Sequence, residues 1–438
     1  MKSNTWRETT LGELADFING DRGKNYPGVA DRVDVGIPFI NTGHILPSGR
    51  LTQDDMDYIT SEKYNQLGSG KVRPGDIVYC LRGSTIGKTA RNHYEEGAIA
   101  SSLVIVRAKP EVNQDYLYYF LTSPAGQQLA KSNDNGSAQP NLSAKTLSKY
   151  PLLVPSFEEQ QSIVNTLNAI DNKIEVNTKL NQTLEEMAQA IFKSWFVDFD
   201  PVKAKMNGVQ PEGMDAATVS LFPDKLVESE LGLIPEGWDI ATIKDFGSVV
   251  CGKTPSKKNA DFYGGDVPFI KIPDTHGKVF ITETTDTLTQ AGDESQPKKR
   301  IPENSICVSC IATVGQVFIT TKPSHTNQQI NSVVPHDANS LYYLLFKFKG
   351  LNKHFHDLAS GGSATLNMNT RTFSNIELVR PTADVMEAFH NTIGGLMQKM
   401  LTNQLENSTL AELRDTLLPK LLSGEIELGQ AQELAEVE

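Results

Sequence analysis

The chain repeats itself, and this repeat constrains its fold more than any other feature of the sequence. Four short motifs recur at offsets between 224 and 230 residues: 37–40 as 267–270, 84–87 as 312–315, 117–119 as 341–343, and 136–138 as 362–364. A period of this length is far too long for a solenoid or a propeller blade. It predicts two whole domains of similar fold, which suit contact with two similar places on one extended partner.

The composition is that of a soluble globular protein. Of the 438 residues, 39% are hydrophobic and 21% are charged, which is ordinary for such proteins. No apolar stretch approaches the length that spans a bilayer, and the first residues lack an apolar signal core. The four cysteines fit a reducing compartment without a disulfide framework. We therefore expect a cytoplasmic protein that does not contact a membrane.

The net charge of -12 argues at first against a nucleic-acid partner. The excess acid is not evenly spread, however. Residues 1–155 carry 17 basic and 16 acidic side chains, and residues 236–381 carry 15 and 14, so each repeat has a net charge of +1. Residues 156–235 and 382–438 each carry a net charge of -7. The two repeats can therefore have a local basic face.

The order of apolar runs, turns and helical patterns divides the chain into six segments of an α/β (α+β) protein. We predict two similar globular domains at 1–155 and 236–381, helical spacers at 156–199 and 382–424, a Pro- and Gly-rich linker at 200–235, and an acidic tail at 425–438.

Each spacer is predicted to be one long helix. The first begins with a capping box, Ser156 followed by Glu159. Apolar residues then recur in steps of 3 and 4, the pattern of a coiled-coil seam. The seam residues are Ile163, Leu167, Ile170, Ile174, Leu180, Leu184, Met187 and Ile191 in the first helix, and Phe389, Ile393, Leu396, Met400, Leu410, Leu413 and Leu417 in the second. A helix packed on its own domain is the alternative, but two matching seams favour pairing with each other.

One polar residue interrupts each seam at the same place, Asn177 in the first and Asn403 in the second. A lone polar pair in an apolar seam fixes the register of a coiled coil. We therefore predict an antiparallel coiled coil centred on these two residues, with a pseudo-two-fold axis. Its 28-residue seam would be about 42 Å long and would hold the two globules apart.

Three short motifs resemble catalytic or metal-binding sites, but each lacks a required residue at the required position. The run 82–89 resembles a P-loop, but Arg82 stands where its first glycine is needed. Cys307 and Cys310 have zinc-like spacing without a second ligand pair, so a buried pair on opposite faces of a strand is the better interpretation. Pro273-Asp274 lacks the Glu-x-Lys of a nuclease centre. We expect no catalytic residues and no metal site on this chain.

Loops of both repeats carry side chains suited to DNA. Basic residues that could position phosphates are Arg22, Lys24, Arg82 and Lys88 in the first repeat and Lys253, Lys257 and Lys258 in the second. Amides, hydroxyls and one arginine that could read base edges are Ser137, Gln139 and Asn141, with Thr254, Asn327, Gln328, Thr365, Asn367 and Arg371. Solvated loops are the alternative, but their occurrence in both repeats favours DNA binding.

The chain resembles the DNA specificity subunit of Type I restriction–modification systems over nearly its whole length. The resemblance rests on the repeat of globule and helix, and on four sequence stretches. These are Ser194–Ala204 after the first helix, Leu418–Ile426 at the end of the second, and Gly252–Ser256 and Thr326–Asn331 in the second globule.

The resemblance implies a non-catalytic subunit whose two target-recognition domains each read half of a bipartite double-stranded DNA site. The helices correspond to the family's conserved regions, which space the domains and dock two methyltransferase subunits; restriction subunits complete the complex. S-adenosylmethionine, ATP and magnesium would then belong to the partner subunits. A helical ruler of this length suits half-sites about one duplex turn apart, roughly 34–36 Å.

Two other classes of function remain open from the sequence. The chain could be a helical scaffold that joins two protein partners without reading DNA. An autonomous nuclease or methyltransferase is disfavoured, because the motifs that such enzymes need are missing.

Overall fold

The computed structural model describes residues 6–132, 141–360 and 366–426. The chain divides into two compact units, neither of which matches a predicted segment. Unit 1 comprises Met1–Glu175 and Asn407–Glu438, and unit 2 comprises Val176–Glu406. Each unit therefore contains one globule together with half of each long helix. Among the described residues, no helix is both long enough and apolar enough to cross a membrane.

Unit 1 is a mixed α/β globule. Its strands are β1 (Arg7–Thr10), β2 (Ala15–Asn19), β3 (Arg32–Val33), β4 (Ile37–Ile40), β5 (Tyr58–Ile59), β6 (Ile77–Cys80), β7 (Thr89–Arg91), β8 (Ala98–Ile99), β9 (Leu103–Ala108) and β10 (Pro151–Val154). Its short helices are α1 (Leu11–Leu14), α2 (Ser61–Gln66), α3 (Gln114–Thr122), α4 (Pro124–Ser132) and α5 (Ala144–Leu147). The first long helix, α6 (Phe157–Phe196), begins in unit 1 and ends in unit 2.

From Asp239 onward, unit 2 repeats the main strands and helices of unit 1 in the same order, and the second long helix then begins in unit 2 and ends in unit 1. Its helices are α7 (Asp200–Met206), α8 (Ala216–Ser220), α9 (Ile243–Phe246), α10 (Gln290–Glu294), α11 (Leu341–Gly350), α12 (Asn352–Ala359), α13 (Thr370–Ser374) and α14 (Ala383–Leu422). Its strands are β11 (Leu226–Ser229), β12 (Gly232–Pro235), β13 (Asp239–Thr242), β14 (Gly247–Cys251), β15 (Tyr263–Ile270), β16 (Phe280–Ile281), β17 (Asp286–Leu288), β18 (Ile306–Ser309), β19 (Val317–Thr320), β20 (His325–Thr326), β21 (Ile330–Pro335) and β22 (Glu377–Arg380).

The sheet topology is repeated between the two units. The antiparallel sheet β2-β9-β6-β7 of unit 1 corresponds to β14-β21-β18-β19 of unit 2, where β16 adds a parallel edge strand. The pair β1-β10 corresponds to β13-β22, and the parallel pair β4-β8 corresponds to β15-β20. The sequence repeat is therefore a repeat of fold.

Alternating side chains give the main sheet of each unit two buried faces. In unit 1, Tyr79 faces the helices, whereas Val78 and Cys80 face the smaller sheet. In unit 2, Cys310 lies in the core on the helix side and Cys307 lies in the core on the opposite side. Burial raises the pKa of both of these thiols to about 12, so they stay protonated. The interpretation of a buried pair on opposite faces is confirmed.

Within each unit the two long helices run antiparallel, as predicted. In unit 1, Arg414 donates to Asp171 at 3.0 Å and Asn407 donates to the carbonyl oxygen of Ile174 at 3.4 Å. In unit 2, Asn177 donates to Glu406 at 2.8 Å, and Asn181 donates to the carbonyl oxygen of Met400 at 3.0 Å. In both units the residue number falls on one helix as it rises on the other. The capping box of α6 is also present, since Ser156 and Glu159 exchange hydrogen bonds.

The two register residues are buried, but they do not pair with each other through a hydrogen bond. Asn177 and Asn403 are 2% and 0% exposed. Asn403 donates to Asn181 at 2.9 Å, and its side-chain oxygen has no hydrogen-bond partner. Asn177 instead donates to Glu406. The structure therefore places two amide contacts side by side in the helix pair, and their control of register stays a prediction, as does the spacing of the globules.

In the second half of α6 the predicted seam is wrong at Leu180 and Met187, whereas Leu184 is buried and Ile191 packs against the core, as predicted. Leu180 and Met187 are 37% and 48% exposed, whereas Ala188 and Phe192 are buried. A straight helix has 3.6 residues per turn, so a strict seam drifts around its surface. In this half of α6 the buried face is the one that packs on the globule of unit 2.

The predicted linker is an ordered part of unit 2. Residues 200–235 form α7, α8 and the β11–β12 hairpin. Their apolar residues Val202, Phe222 and Ile234 are buried in the same core as Trp195 and Trp238. Gly208, Gly213 and Gly232 adopt positive φ angles at the turns that join these short elements.

Because each long helix contributes to both units, a core substitution in a helix should destabilise only the unit whose core contains that residue. Leu417→Ala should destabilise unit 1, and Phe192→Ala should destabilise unit 2, each by about 2–5 kcal/mol, because both side chains fill a packed core. Hydrogen exchange measured by mass spectrometry would show which unit loses protection. Leu180→Ala is the control on the exposed face of α6 and should cost less than about 1 kcal/mol. Loss of protection in residues 6–132 on Phe192→Ala, with unit 2 unchanged, would contradict this assignment.

Candidate nucleic-acid interface

The antiparallel strand order brings the candidate loops of each unit to one edge of its main sheet. In unit 1 the ends of β2 and β6 lie beside the starts of β9 and β7. In unit 2 the ends of β14 and β18 lie beside the starts of β21 and β19. We call these two edges the loop edges. They comprise residues 20–25, 81–88, 100–102 and 141–145 in unit 1, and residues 252–258, 310–316, 326–329 and 366–371 in unit 2.

The two loop edges are fixed by corresponding backbone hydrogen bonds. In each unit, the loop after the central strand donates to the loop before its neighbour and accepts from the amide-rich loop. These bonds are Leu81 N to Ser102 O (2.9 Å) and Leu142 N to Leu81 O (2.8 Å) in unit 1, and Cys310 N to Gln329 O (2.7 Å) and Met368 N to Cys310 O (2.8 Å) in unit 2. Isolated bridges between Arg82 and Asn141, and between Ile311 and Asn367, extend the same pairing.

A glycine in each unit lets two backbones approach closely at this edge. A Cβ atom at Gly20 would lie 2.6 Å from the carbonyl oxygen of Ala100. A Cβ atom at Gly252 would lie 2.1 Å from the carbonyl oxygen of Asn327. Only glycine can occupy these positions without movement of the backbone, and so the first loop of each edge is held against the sheet.

In unit 1 the structure brings three of the predicted residues into one cleft. Arg22, Arg82 and Asn141 line a cavity of about 560 Å³, and all three side chains are exposed. Lys145 lines the same cleft and was missed by the sequence analysis. The sequence could have suggested Lys145 as a candidate, because it stands four residues after Asn141 in the same polar stretch. The neighbouring Asp21 accepts from the backbone N–H groups of Gly68 and Arg22, so it shapes the turn.

The other two basic residues of unit 1 have different surroundings. Lys24 is exposed on the same loop as Arg22. Lys88 lines a separate pocket on the helix side, together with Tyr118, Asp171 and Arg414. The structure therefore does not bring Lys88 together with Arg82, although the two lie in one loop.

In unit 2 the first loop presents three exposed lysines. Lys253, Lys257 and Lys258 all have exposed side chains. Next to them, the Thr254 hydroxyl donates to the Oε1 atom of Gln328 at 2.6 Å, and Gln328 is also exposed. This arrangement offers positive charge and an amide within one surface.

The remaining candidates of unit 2 divide between surface and interior. Asn367 and Arg371 are exposed at the same edge. Asn327 is only 7% exposed, and its side-chain amide exchanges hydrogen bonds with Gln329. This places Asn327 in a structural role that maintains the turn, instead of on the surface where bases could be read. Ser137, Gln139 and Thr365 lie outside the described residues.

The comparisons with known proteins agree with the repeat. A family model described as the Type I restriction modification DNA specificity domain matches residues 3–186 and again 235–413. The specificity subunit of the Type I restriction enzyme HindI from Haemophilus influenzae is 39% identical over 96% of this chain and 99% of its own length. The specificity subunit of the MjaIX enzyme from Methanocaldococcus jannaschii is 27% identical over 74% of this chain and 71% of its own length.

A solved structure shows the same fold. The S subunit of a Type I restriction–modification system from M. genitalium matches with a TM-score of 0.58 at 16% sequence identity, covering 96% of this chain and 97% of that one. Two repeated α/β domains with long helices, and a loop edge built twice, define a protein of two structurally equivalent units. The chain belongs to the Type I restriction–modification DNA specificity family. The predicted fold class and family are confirmed.

The close approach at Gly252 gives a test of the loop edge. Gly252→Ala should destabilise the chain by about 1–3 kcal/mol, because the new methyl group meets a backbone carbonyl that cannot move aside cheaply. The matched control is Gly350→Ala at the end of α11, where a Cβ atom meets nothing within 4 Å. Urea unfolding of both variants measures the difference. A Gly252→Ala variant as stable as the control would show that the loop is not held against Asn327.

Proposed function

We propose that each unit of this specificity subunit reads one half of a bipartite double-stranded DNA target through its loop edge. The observation that carries the proposal is that one set of backbone contacts builds the same edge twice, and that each edge exposes basic and amide side chains. The membership of the chain in a DNA specificity family supports the same conclusion.

Phosphate contacts and base contacts would be divided among the exposed side chains. Lysine and arginine bind phosphates and set the position on the duplex. We assign this role to Arg22, Lys24, Arg82 and Lys145 in unit 1 and to Lys253, Lys257 and Lys258 in unit 2. Asparagine and glutamine can pair with adenine and arginine with guanine in the major groove. We assign base reading to Asn141, and to Thr254, Gln328, Asn367 and Arg371. Ser137, Gln139 and Thr365 stay predicted base readers.

The chemistry of the complex would belong to partner subunits. As a specificity subunit this chain is non-catalytic. We propose that it docks two methyltransferase subunits and the restriction subunits, and that S-adenosylmethionine, ATP and magnesium bind to those partners. A base inside a duplex must be flipped out before it can be methylated, and the catalytic partner would do this while the present chain holds the DNA.

The acidic helical segments suit contact with protein partners, because their charge would repel DNA phosphates. The proposed place of action is the cytoplasm, where the DNA target is accessible. A scaffold that joins two partners without reading DNA was the alternative from the sequence. The match of both repeats to a DNA specificity domain favours the reading of DNA.

Lys257 tests the phosphate role. Lys257→Ala should weaken binding to every DNA sequence by a similar factor and lower the salt slope of log K by about one, because one phosphate contact is lost. Fluorescence anisotropy at several salt concentrations, with the chain bound to its methyltransferase partner, measures both. Lys225→Ala removes the same charge from an exposed ion pair with Glu236 and should leave the slope unchanged. Weaker binding to one target sequence only would contradict the role of Lys257.

The division of labour between the units has its own test. Asn141→Ala should relax one half of the recognised motif and Arg371→Ala the other half, each by about 1–3 kcal/mol of discrimination. Sequencing of methylated bases across the genome of a host that expresses each variant would show which positions change. The two variants serve as controls for each other. Alteration of both halves by either single variant would show that the units do not read separately.

A further inference from the structure

A buried chain of polar side chains lies behind the loop edge of unit 2 and has no part in the function described so far. His325 is 0% exposed, and its Nε2 atom lies 2.7 Å from Oδ1 of Asp293. The other carboxylate oxygen of Asp293 accepts from Arg300 at 2.6 Å. On the other side of the ring, Nδ1 lies 3.4 Å from Nε2 of Gln296. Buried polar groups are costly unless they are paired, and here every member is paired.

This series of polar side chains ends at the backbone of the loop that is proposed to contact DNA. Nε2 of Gln296 also donates to the carbonyl oxygen of Lys253 at 2.8 Å. Because this nitrogen can only donate, Nδ1 of His325 accepts, and the ring proton lies on Nε2 and is donated to Asp293. The N–H group of Lys253 donates to the carbonyl oxygen of Thr326 at 2.9 Å. Both backbone polar groups of Lys253, its N–H and its C=O, are therefore fixed, while its side chain is exposed.

A second contact fixes the loop two residues further on. The hydroxyl group of Tyr263 donates to the carbonyl oxygen of Pro255 at 2.7 Å, and Pro255 is itself buried. Thr254 lies between the two fixed carbonyl groups, and its hydroxyl reaches Gln328. Gln296 and Tyr263, which lie beneath the loop, thus set the orientation of the backbone that carries Lys253 and Thr254.

Unit 1 holds its first loop from the same place in the fold with different residues. Gln296 follows α10, and the corresponding segment of unit 1 follows α2. There Ser69 donates to the carbonyl oxygen of Asn19 at 2.7 Å, and the N–H group of Gly68 donates to Asp21 at 2.8 Å. The segment after this helix therefore anchors the first loop in both units, although no side chain in the anchor is shared. This repetition indicates that the anchor serves the loop, since a network needed only by one core would have no counterpart.

We infer that Gln296, held in place by His325 and Asp293, is a positioning residue that sets the sequence discrimination of unit 2 without contacting DNA. The inference rests on the proposed function of the loop edge. A fixed polar surface discriminates better than a mobile one, because its groups cannot re-pack around a wrong base sequence.

The test compares two variants that make the same chemical change on one segment. Gln296→Glu keeps the size of the side chain but removes the donors to Lys253 and His325. Gln290→Glu adds the same charge at an exposed position of α10. Each variant is assembled with the methyltransferase partner. The complex is then titrated with a duplex that carries the sequence methylated by the wild-type complex, and with a duplex of scrambled sequence. We expect Gln296→Glu to lower the ratio of the two affinities about tenfold, the order of one lost buried hydrogen bond, and Gln290→Glu to leave the ratio unchanged.

Tyr263→Phe is the second variant, because it removes the Pro255 contact without placing a charge in the interior. It should also lower the ratio, and in both variants only the half-site read by unit 2 should lose specificity. Hydrogen exchange of a peptide covering residues 250–256 should become faster in both. Equal loss of affinity for both duplexes, or unchanged exchange with an unchanged ratio, would overturn the inference. A wild-type complex without sequence preference would instead overturn the proposed function. Hydrogen exchange of residues 250–256 would then still show whether Gln296 and Tyr263 hold the loop in place.

Discussion

The packing of both long helices onto each globule is the contact on which the rest of the structure depends. In unit 1 the core takes Leu167 from α6 and Leu417 from α14, and in unit 2 it takes Phe192 and Phe389 from the same two helices. Each fully buried side chain of this kind stabilises a fold by about 1.5–3 kcal/mol. The first globule is therefore completed by residues that lie more than 200 positions away, and the end of the chain must return to its beginning.

The two units meet this requirement with different chemistry. In unit 2 aromatic rings fill the contact, with Phe196 lying 4.9 Å from Phe389 between ring centroids. In unit 1 the helices supply aliphatic side chains to the core, and polar contacts are added to them: the hydroxyl of Tyr119 donates to Asp171 at 2.7 Å, and Arg414 binds the same carboxylate. Burial and the nearby carboxylate raise the pKa of Tyr119, so that the hydroxyl stays a donor.

Local patterns in the sequence were enough for the repeat, the long helices and their antiparallel pairing, because helical periodicity and caps are set by nearby residues. Local patterns did not predict the exposure of Leu180. The seam pattern predicted that this residue is buried, but its exposure depends on which face of α6 packs on the globule. The same limit applied to the candidate site. Loops could be chosen by composition, but only the strand order shows that Lys145 joins Arg82, that Lys88 lies elsewhere, and that Asn327 is buried. The anchor through Gln296 joins residues far apart in sequence and left no local signal.

The most direct test of the shared helices is the unfolding of two fragments. Residues 176–406 contain unit 2 with its halves of both helices, whereas residues 176–382 lack the half of α14 that supplies Phe389 and Ile393. Calorimetry of the longer fragment should show one cooperative transition, and the shorter fragment should show none. Cooperative unfolding of both at a similar temperature would mean that the globule does not need the second helix, and would contradict the account.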